Sequence, residues 1–127
     1  MILAAGRGVR MRPLTDHVPK PLLSAAGRPL IVHLIERLKR AGFSELVVNV
    51  SHLAAQIERE LGDGSRHGVR IVYSREEQAL ETGGGIAYAL PLLGNAPFVA
   101  LNSDIYCDFD CGRLAAAGAA LDRKSVV

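Results

Sequence analysis

The sequence predicts an α/β fold, a parallel sheet with helices on both faces, and three observations predict it. Short apolar runs alternate with stretches of helical spacing in the order β, α, β, α, β, α, β, α, the pattern of a parallel sheet with crossover helices. Two glycine-bearing segments stand where strands run out: Gly6-Arg7-Gly8 follows the first run, and Glu81-Thr82-Gly83-Gly84-Gly85 follows the third and opens a helix. Asp104 stands just past the fourth run. Ligands of open α/β sheets bind beyond the carboxyl ends of the strands, so these segments belong to one candidate site.

Each element has its own grounds. Met1 to Ala5 is an apolar run read as a buried strand, ended by Gly6. Leu22 to Gly27 is a brief extended piece closing in a turn. Pro29 suits the first turn of a helix, and Leu30, Ile31, Leu34, Ile35 and Leu38 recur at helical spacing. Gly42 ends that helix, with Arg37, Lys39 and Arg40 favouring its negative end. His33 lies among those apolar positions and reads as packed or solvated, since no second ligand or base accompanies it.

Glu45 to Val50 reads as a second buried strand, and Ser51 as the cap of a helix from about Leu53 to Leu61, with Leu53, Ile57 and Leu61 inward. Gly62-Asp63-Gly64-Ser65 is a turn cluster, structural rather than a site. Val69 to Ser74 is the third strand, with Val69, Ile71 and Tyr73 alternating. A polar loop from Arg75 to Ala79 leads to the glycine triplet, and Ile86 to Leu93 reads as the helix opening on it. Phe98 to Asn102 is the fourth strand, and Asp110 to about Leu121 an alanine-rich helix.

The chain of 127 residues is long enough for one modest domain, and its 49% hydrophobic and 22% charged residues are ordinary for a globular protein. A net charge of +2, with basic residues scattered and only three Tyr and three Phe, gives no case for nucleic acid. No apolar run approaches the roughly 20 residues of a membrane span. The apolar start has no basic leader and is not read as a signal peptide. Cys107 and Cys111 form no disulfide framework and suit a reducing compartment, and no partner ligands make them a metal site. Cytoplasm is the expected location.

The chemistry concentrates in the first twenty residues. Glycine lets backbone N–H groups approach a phosphate closely, and arginine and lysine add full charge to the same anion. Gly6, Gly8, Arg10, Pro13 and Pro19-Lys20-Pro21 together look built to hold phosphates at the end of the first strand. The segment is neither a P-loop nor a full Gly-x-Gly-x-x-Gly, because no Gly-Lys-Ser/Thr follows and Met11 stands at the third glycine position. A bare tight turn is the alternative reading of Gly6-Arg7-Gly8.

Leu3-Ala4-Ala5-Gly6-Arg7-Gly8-Val9-Arg10-Met11-Arg12-Pro13-Leu14-Thr15, followed by Pro19-Lys20-Pro21-Leu22, resembles the signature of sugar-1-phosphate nucleotidylyltransferases. Leu61 to Ser65, Glu81 to Gly85, and Asn102-Ser103-Asp104 bring the resemblance nearest to the N-acetylmuramate 1-phosphate uridylyltransferases of cell-wall recycling. It runs from Met1 to about Leu121. It implies a Rossmann-like nucleotide-diphospho-sugar transferase fold with its C-terminal part absent, residues 1–121 being the nucleotide-binding half. Asp122 to Val127 is similar to a translated sequencing adapter and reads as a non-native tail.

The resemblance implies transfer of UMP from UTP to a sugar 1-phosphate, giving a UDP-sugar and pyrophosphate, with Mg²⁺ as cofactor. Gly6, Gly8, Val9 and Arg10 are matched to the triphosphate, Arg10 also to the transition state, and Lys20 to the phosphate-binding lysine. Asp104 is matched to the metal aspartate and Asn102 to a sugar-phosphate contact, a capping or turn asparagine being the alternative. Glu81, Thr82 and the three following glycines, Gly83, Gly84 and Gly85, are assigned to the nucleobase side, the alternative being a tightly packed helix start. Ser103 departs from the family's Asn-Gly-Asp. The second metal aspartate and most of the sugar pocket lie beyond this chain. Mannose-1-phosphate guanylyltransferase, glucose-1-phosphate thymidylyltransferase and a non-catalytic nucleotide-binding module are the competing readings. Retention of Arg10, Lys20 and Asp104 together argues against the last.

Overall fold

A computed structural model describes residues 1–120. Leu121 and the tail assigned to 122–127 lie outside the described residues. The strands are β1 (Ile2–Leu3), β2 (Ser24–Ala25), β3 (Arg28–Pro29), β4 (Glu45–Val50), β5 (Arg70–Arg75) and β6 (Leu101–Asn102). The helices are α1 (Leu30–Arg40), α2 (Ala54–Leu61), α3 (Glu81–Leu93) and α4 (Cys111–Ala119). Four strands form one sheet in the order β5-β4-β1-β6, every pair parallel. β2 and β3 form a separate antiparallel ribbon.

The strand order fixes where a ligand can sit. From β1 the chain steps outward to β4 and β5, then returns to add β6 on the other side of β1. The order reverses between β1 and β6, where Leu3 is in register with both Asn49 and Asn102. The connections diverge there and open a crevice at the carboxyl ends of the strands.

Both faces of the sheet are covered, as the alternating pattern predicts. Strand side chains point alternately to opposite faces. Leu46, Val48 and Val50 of β4, with Ile2 and Ile71, meet Ile31, Leu34, Ile35 and Leu38 of α1 and Ile57 and Leu61 of α2. On the opposite face Met1, Val47 and Ala100 meet Ala89 of α3, with Ile86, Leu93 and Phe98 at the margin.

Several boundaries differ from the sequence reading. The first strand spans Ile2–Leu3 rather than Met1 to Ala5, and the fourth begins at Leu101 rather than Phe98. The paired register covers only Ile2–Leu3 and Leu101–Asn102, while backbone bonds flank it, the Met1 amine donating to the Val99 carbonyl at 2.6 Å and the Leu101 N–H to the Met1 carbonyl at 3.0 Å. The third strand begins at Arg70, since the N–H of Val69 is turned back to the Gly64 carbonyl. Ser51 does not cap α2: its backbone carbonyl takes the Ala54 N–H, and Leu53, in left-handed conformation at φ 54, is the residue before the helix. With the backbone closing that turn, the serine hydroxyl is not needed. α4 is capped by Asp110, whose side chain accepts from the Gly112 N–H at 2.8 Å. The turn at Gly62 to Ser65 is held by the fold: the Tyr73 hydroxyl donates to the Gly62 carbonyl at 2.5 Å and the Ile71 N–H to that of Asp63.

One exposed ion pair carries a pH prediction. Arg75 Nε and Nη2 lie 2.6 Å from the two oxygens of Glu58, tying β5 to α2 in bidentate geometry. The Arg75 hydrogen bond holds the Glu58 carboxyl below its ordinary value of 4.5. A carboxyl depressed on folding contributes stability that is present above its unfolded pKa and lost as pH falls through its folded one. Melting temperature is therefore expected to drop on acidification below pH 4.5 with a component that Glu58→Gln removes. Parallel melting curves for chain and variant across that range check it. Identical pH dependence would remove the pair from the acid response.

Candidate active site

The root of the site is the end of β1. Ala4 and Ala5 are buried, and the chain then turns through Gly6-Arg7-Gly8 into a 3₁₀ turn at Val9–Met11. The Met11 N–H closes this turn on the Gly8 carbonyl at 2.9 Å. Gly8 is in left-handed conformation at φ 62, and a Cβ on it would stand 2.9 Å from Thr15 Cγ2. Any other residue there would be strained twice, by backbone and by contact. Thr15, only 1% exposed, donates its hydroxyl to the Gly8 carbonyl at 2.8 Å, and a His52 ring nitrogen lies 2.9 Å from the Thr15 carbonyl. The loop is thus braced from beneath, and Val9 and Arg10 remain exposed.

Two further elements bring the opposite charges. Lys20 begins a 3₁₀ turn through Leu22, with Pro19 and Pro21 on either side both buried. Its ammonium forms an ion pair with Asp104 Oδ2, and each side chain is under a third exposed. Asp104 is carried past β6 by Ser103, whose N–H donates to the Leu3 carbonyl at 3.1 Å and continues the ladder. Ser103, the departure from the family pattern, is buried at 6% exposure.

The far wall is the amino end of α3. Glu81 takes a left-handed φ of 58, a conformation that costs a β-carbon-bearing residue roughly 1 kcal/mol or more, and it borders the cleft together with Thr82. The helix starts at Glu81 rather than Ile86, so the glycine triplet lies within its first turns. Beneath it, Glu76 is buried at 6% and Asn49 at 3%.

These parts enclose an open cleft of about 520 Å³, a size suited to a small molecule. Gly6, Gly8, Val9, Arg10, Lys20, Glu81, Thr82, Asn102 and Asp104 all line it. Gly83, Gly84 and Gly85 do not. A Cβ on Gly83 would meet nothing, and one on Gly84 would meet Leu80 Cβ at 2.9 Å. Close approach instead involves Gly85, whose Cβ would stand 2.7 Å from both Asn49 Nδ2 and Glu76 Oε1. The sequence reading missed Asn49 and Glu76. The signals were an amide inside an otherwise apolar strand and an acid directly after a strand end. It also gave Thr15 no task beyond membership of a motif.

Other candidates lie away from the cleft. His33 borders a separate, largely apolar hollow of about 350 Å³ with Leu30, Leu34, Ile105 and Tyr106, and its Nε2 is 2.7 Å from the Ala25 carbonyl. Cys107 is exposed and Cys111 buried, both free. Among the described residues no group of three or more His, Cys, Asp and Glu is placed to hold a metal ion. No helix among them is long and apolar enough to cross a membrane.

A parallel sheet with a glycine turn, a lysine and an aspartate gathered at its switch point is an open α/β fold with its ligand crevice at the carboxyl ends of the strands. The family model described as nucleotidyl transferase matches residues 1–126, and the chain belongs to that family. The chain is 61% identical over 111 residues to an N-acetylmuramate alpha-1-phosphate uridylyltransferase of Neisseria meningitidis serogroup B, covering 87% of this chain and 48% of that protein. It is 40% identical over 114 residues to a mannose-1-phosphate guanylyltransferase of Mycobacterium tuberculosis, covering 90% and 32%. The solved structure of HddC from Yersinia pseudotuberculosis complexed with GMP-PN has a TM-score of 0.81 and 27% identity, covering 95% of this chain and 53% of that one. The chain therefore spans about half the length of the first of these relatives and about a third of the second.

Proposed function

We propose that this chain is the nucleotide-binding half of a cytoplasmic sugar-1-phosphate uridylyltransferase that joins UTP to N-acetylmuramate 1-phosphate in cell-wall recycling. A phosphate oxygen of the sugar phosphate attacks the α-phosphorus of UTP. A new P–O bond forms, the bond from the α-phosphorus to the bridging oxygen breaks, and pyrophosphate leaves with that electron pair. The attacking group is already an anion, so no protein nucleophile and no general base are required. The protein's work is to bring anions together and to meet charge as it develops.

The observation that carries this reading is the convergence of Gly6 to Arg10, Lys20 and Asp104 on one cleft at the switch point. Backbone N–H groups of the braced loop and the cations of Arg10 and Lys20 take the triphosphate. Glu81 and Thr82 border the nucleobase side, and Asn102 the sugar phosphate. Asp104 offers hard carboxylate oxygens at the cleft edge, a donor that would hold Mg²⁺ together with the second aspartate expected beyond this chain. When bound, that ion neutralises phosphate charge and polarises the reacting phosphoryl group. Without it, Lys20 neutralises the same carboxylate.

The preference for UTP rests on the 61% identity to the Neisseria uridylyltransferase, and the 40% identity to the Mycobacterium guanylyltransferase supports GTP as the second reading. Calorimetry of the 127-residue chain with UTP, GTP and dTTP, each with Mg²⁺, is expected to give weak binding with UTP tightest. A pyrophosphate-release assay with N-acetylmuramate 1-phosphate is expected to show turnover in the full-length protein and none in this chain, because acceptor positioning is worth several kcal/mol of barrier. GTP binding tightest would replace the first reading by the second. Turnover by the chain alone would mean that its acceptor site is already complete.

A further inference from the structure

We infer that Asn49 and Glu76 are positioning residues for the nucleotide cleft: a buried two-side-chain strut that fixes the root of the glycine loop to the amino end of α3. The inference deepens the nucleotide-site reading and rests on it.

The strut is continuous from backbone to backbone. The Ala4 N–H, one residue past the end of β1, donates to Asn49 Oδ1 at 2.7 Å. Asn49 Nδ2 donates to Glu76 Oε1 at 2.8 Å. Glu76 Oε2 accepts from the Leu80 N–H at 2.9 Å, immediately before α3 begins. The Glu76 N–H is itself held by the Val50 carbonyl at 2.8 Å, so the strut is anchored to β4. β1 is only two residues long, and the Asn49 amide replaces the ladder bond that the strand no longer supplies at Ala4.

Three features argue that this is more than ordinary core satisfaction. Both Asn49 and Glu76 line the cleft, yet both oxygens of the carboxylate and both polar atoms of the amide are engaged by the protein. They therefore act on a ligand through the two backbone segments they hold. Those segments lead directly to the cleft's two walls, Gly6 to Arg10 on one side and Glu81 and Thr82 on the other. The third feature is Gly85, where any Cβ would drive into the pair at 2.7 Å. The chain has a glycine where α3 must come down onto the strut.

The bond polarity makes the inference separable from simple stability. Asn49→Asp sets two carboxylates against each other, and Glu76→Gln sets an amide NH₂ against either Asn49 Nδ2 or the Leu80 N–H. Each single change leaves a buried polar group unpaired. Combining them restores all three bonds, the one between the two side chains with its polarity reversed. The carboxylate at position 49 accepts from the Ala4 N–H and from the new amide, whose carbonyl accepts from the Leu80 N–H. Charge and volume are conserved.

The test is calorimetric UTP affinity, with Mg²⁺, per folded 127-residue chain, together with melting temperature, for the two single variants and the double. Each single variant is expected to weaken affinity by roughly tenfold or more, because the unpaired group shifts the two backbone segments that lead to the cleft walls and a tenfold loss needs only a small free-energy change. The double variant should return to within about threefold of the parent, the interaction term of the cycle being the evidence for coupling. Gly85→Ala is the second probe, removing no polar group but crowding the strut. It should weaken affinity by about tenfold as well, and it decides the matter if a single variant fails to fold. Single variants that melt earlier yet bind UTP as the parent does would make the strut merely structural and overturn the inference. So would a folded double variant that stays as weak as the singles, or a folded Gly85→Ala that binds normally. Failure of the parent chain to bind any nucleoside triphosphate would sink the nucleotide-site reading first and this inference with it.

Discussion

Arg10→Ala in the full-length protein is expected to lower kcat by on the order of 10²-fold or more, as for loss of a charge aimed at a developing phosphoryl anion. Arg10 lies in the exposed 3₁₀ turn Val9–Met11 and lines the cleft, and among the described residues it takes part in none of the ion pairs. Its neighbour Arg12 is spent on Asp16 at 3.1 Å and Lys20 on Asp104. Arg10 thus lines the cleft with its charge uncommitted among the described residues. The loop's shape comes from Gly8 and Thr15 beneath it, so the variant should melt within a degree or two of the parent, as surface substitutions away from special features do. Steady-state kinetics beside a melting curve check this. Unchanged turnover would remove Arg10 from the mechanism. A large fall in melting temperature would make it a structural residue instead.

Much of this was legible in the sequence because the relevant physics is local. The apolar periodicity of Leu30 to Leu38 and the runs Glu45 to Val50 and Val69 to Ser74 fix α1, β4 and β5 almost by themselves. The order of strands and glycine turns then puts Gly6 to Arg10 and Asp104 at the same edge of a parallel sheet. The Lys20–Asp104 contact spans 84 positions of sequence, and only the identity of the residues hinted at it. Asn49 and Glu76 were hidden for a different reason. A single amide in Leu46-Val47-Val48-Asn49-Val50 does not disturb the strand pattern, and an acid in a polar loop looks solvated. Their burial follows from α3 descending onto them at Gly85, a tertiary event with no periodic signature. The same event explains why Glu81 to Gly85 read as a loop before the helix. Glycines disfavour helix by roughly 1 kcal/mol each, so the triplet reads locally as loop, whereas in the fold Glu76 accepts from the Leu80 N–H at the helix start and Gly85 packs on the strut. Gly83, Gly84 and Gly85, assigned to the nucleobase side because bare backbone admits close approach, fall outside the cleft lining, while Glu81 and Thr82 at the very start of the helix fall on it.

Asp104→Asn in the full-length protein is expected to remove Mg²⁺-dependent turnover, by on the order of 10³-fold, while metal-free nucleotide affinity holds within about threefold or rises. A neutral amide is a poor ligand for a hard dication. The Lys20–Asp104 ion pair adds the second half of the expectation. In the parent, Lys20 spends its charge on the carboxylate, and a nucleotide arriving alone must draw the ammonium away. The amide weakens that competition and leaves Lys20 for phosphate, so losing the metal site does not entail losing the nucleotide. The fold should be spared, because both side chains are partly exposed and Ser103, not Asp104, carries the backbone bond to Leu3. Mg²⁺ titration read by pyrophosphate release and by calorimetric nucleotide binding separates the two effects. A normal metal dependence in the variant would take Asp104 out of the metal site. Metal-free nucleotide affinity falling together with turnover would mean that the carboxylate organises Lys20 for phosphate rather than competing with phosphate for it.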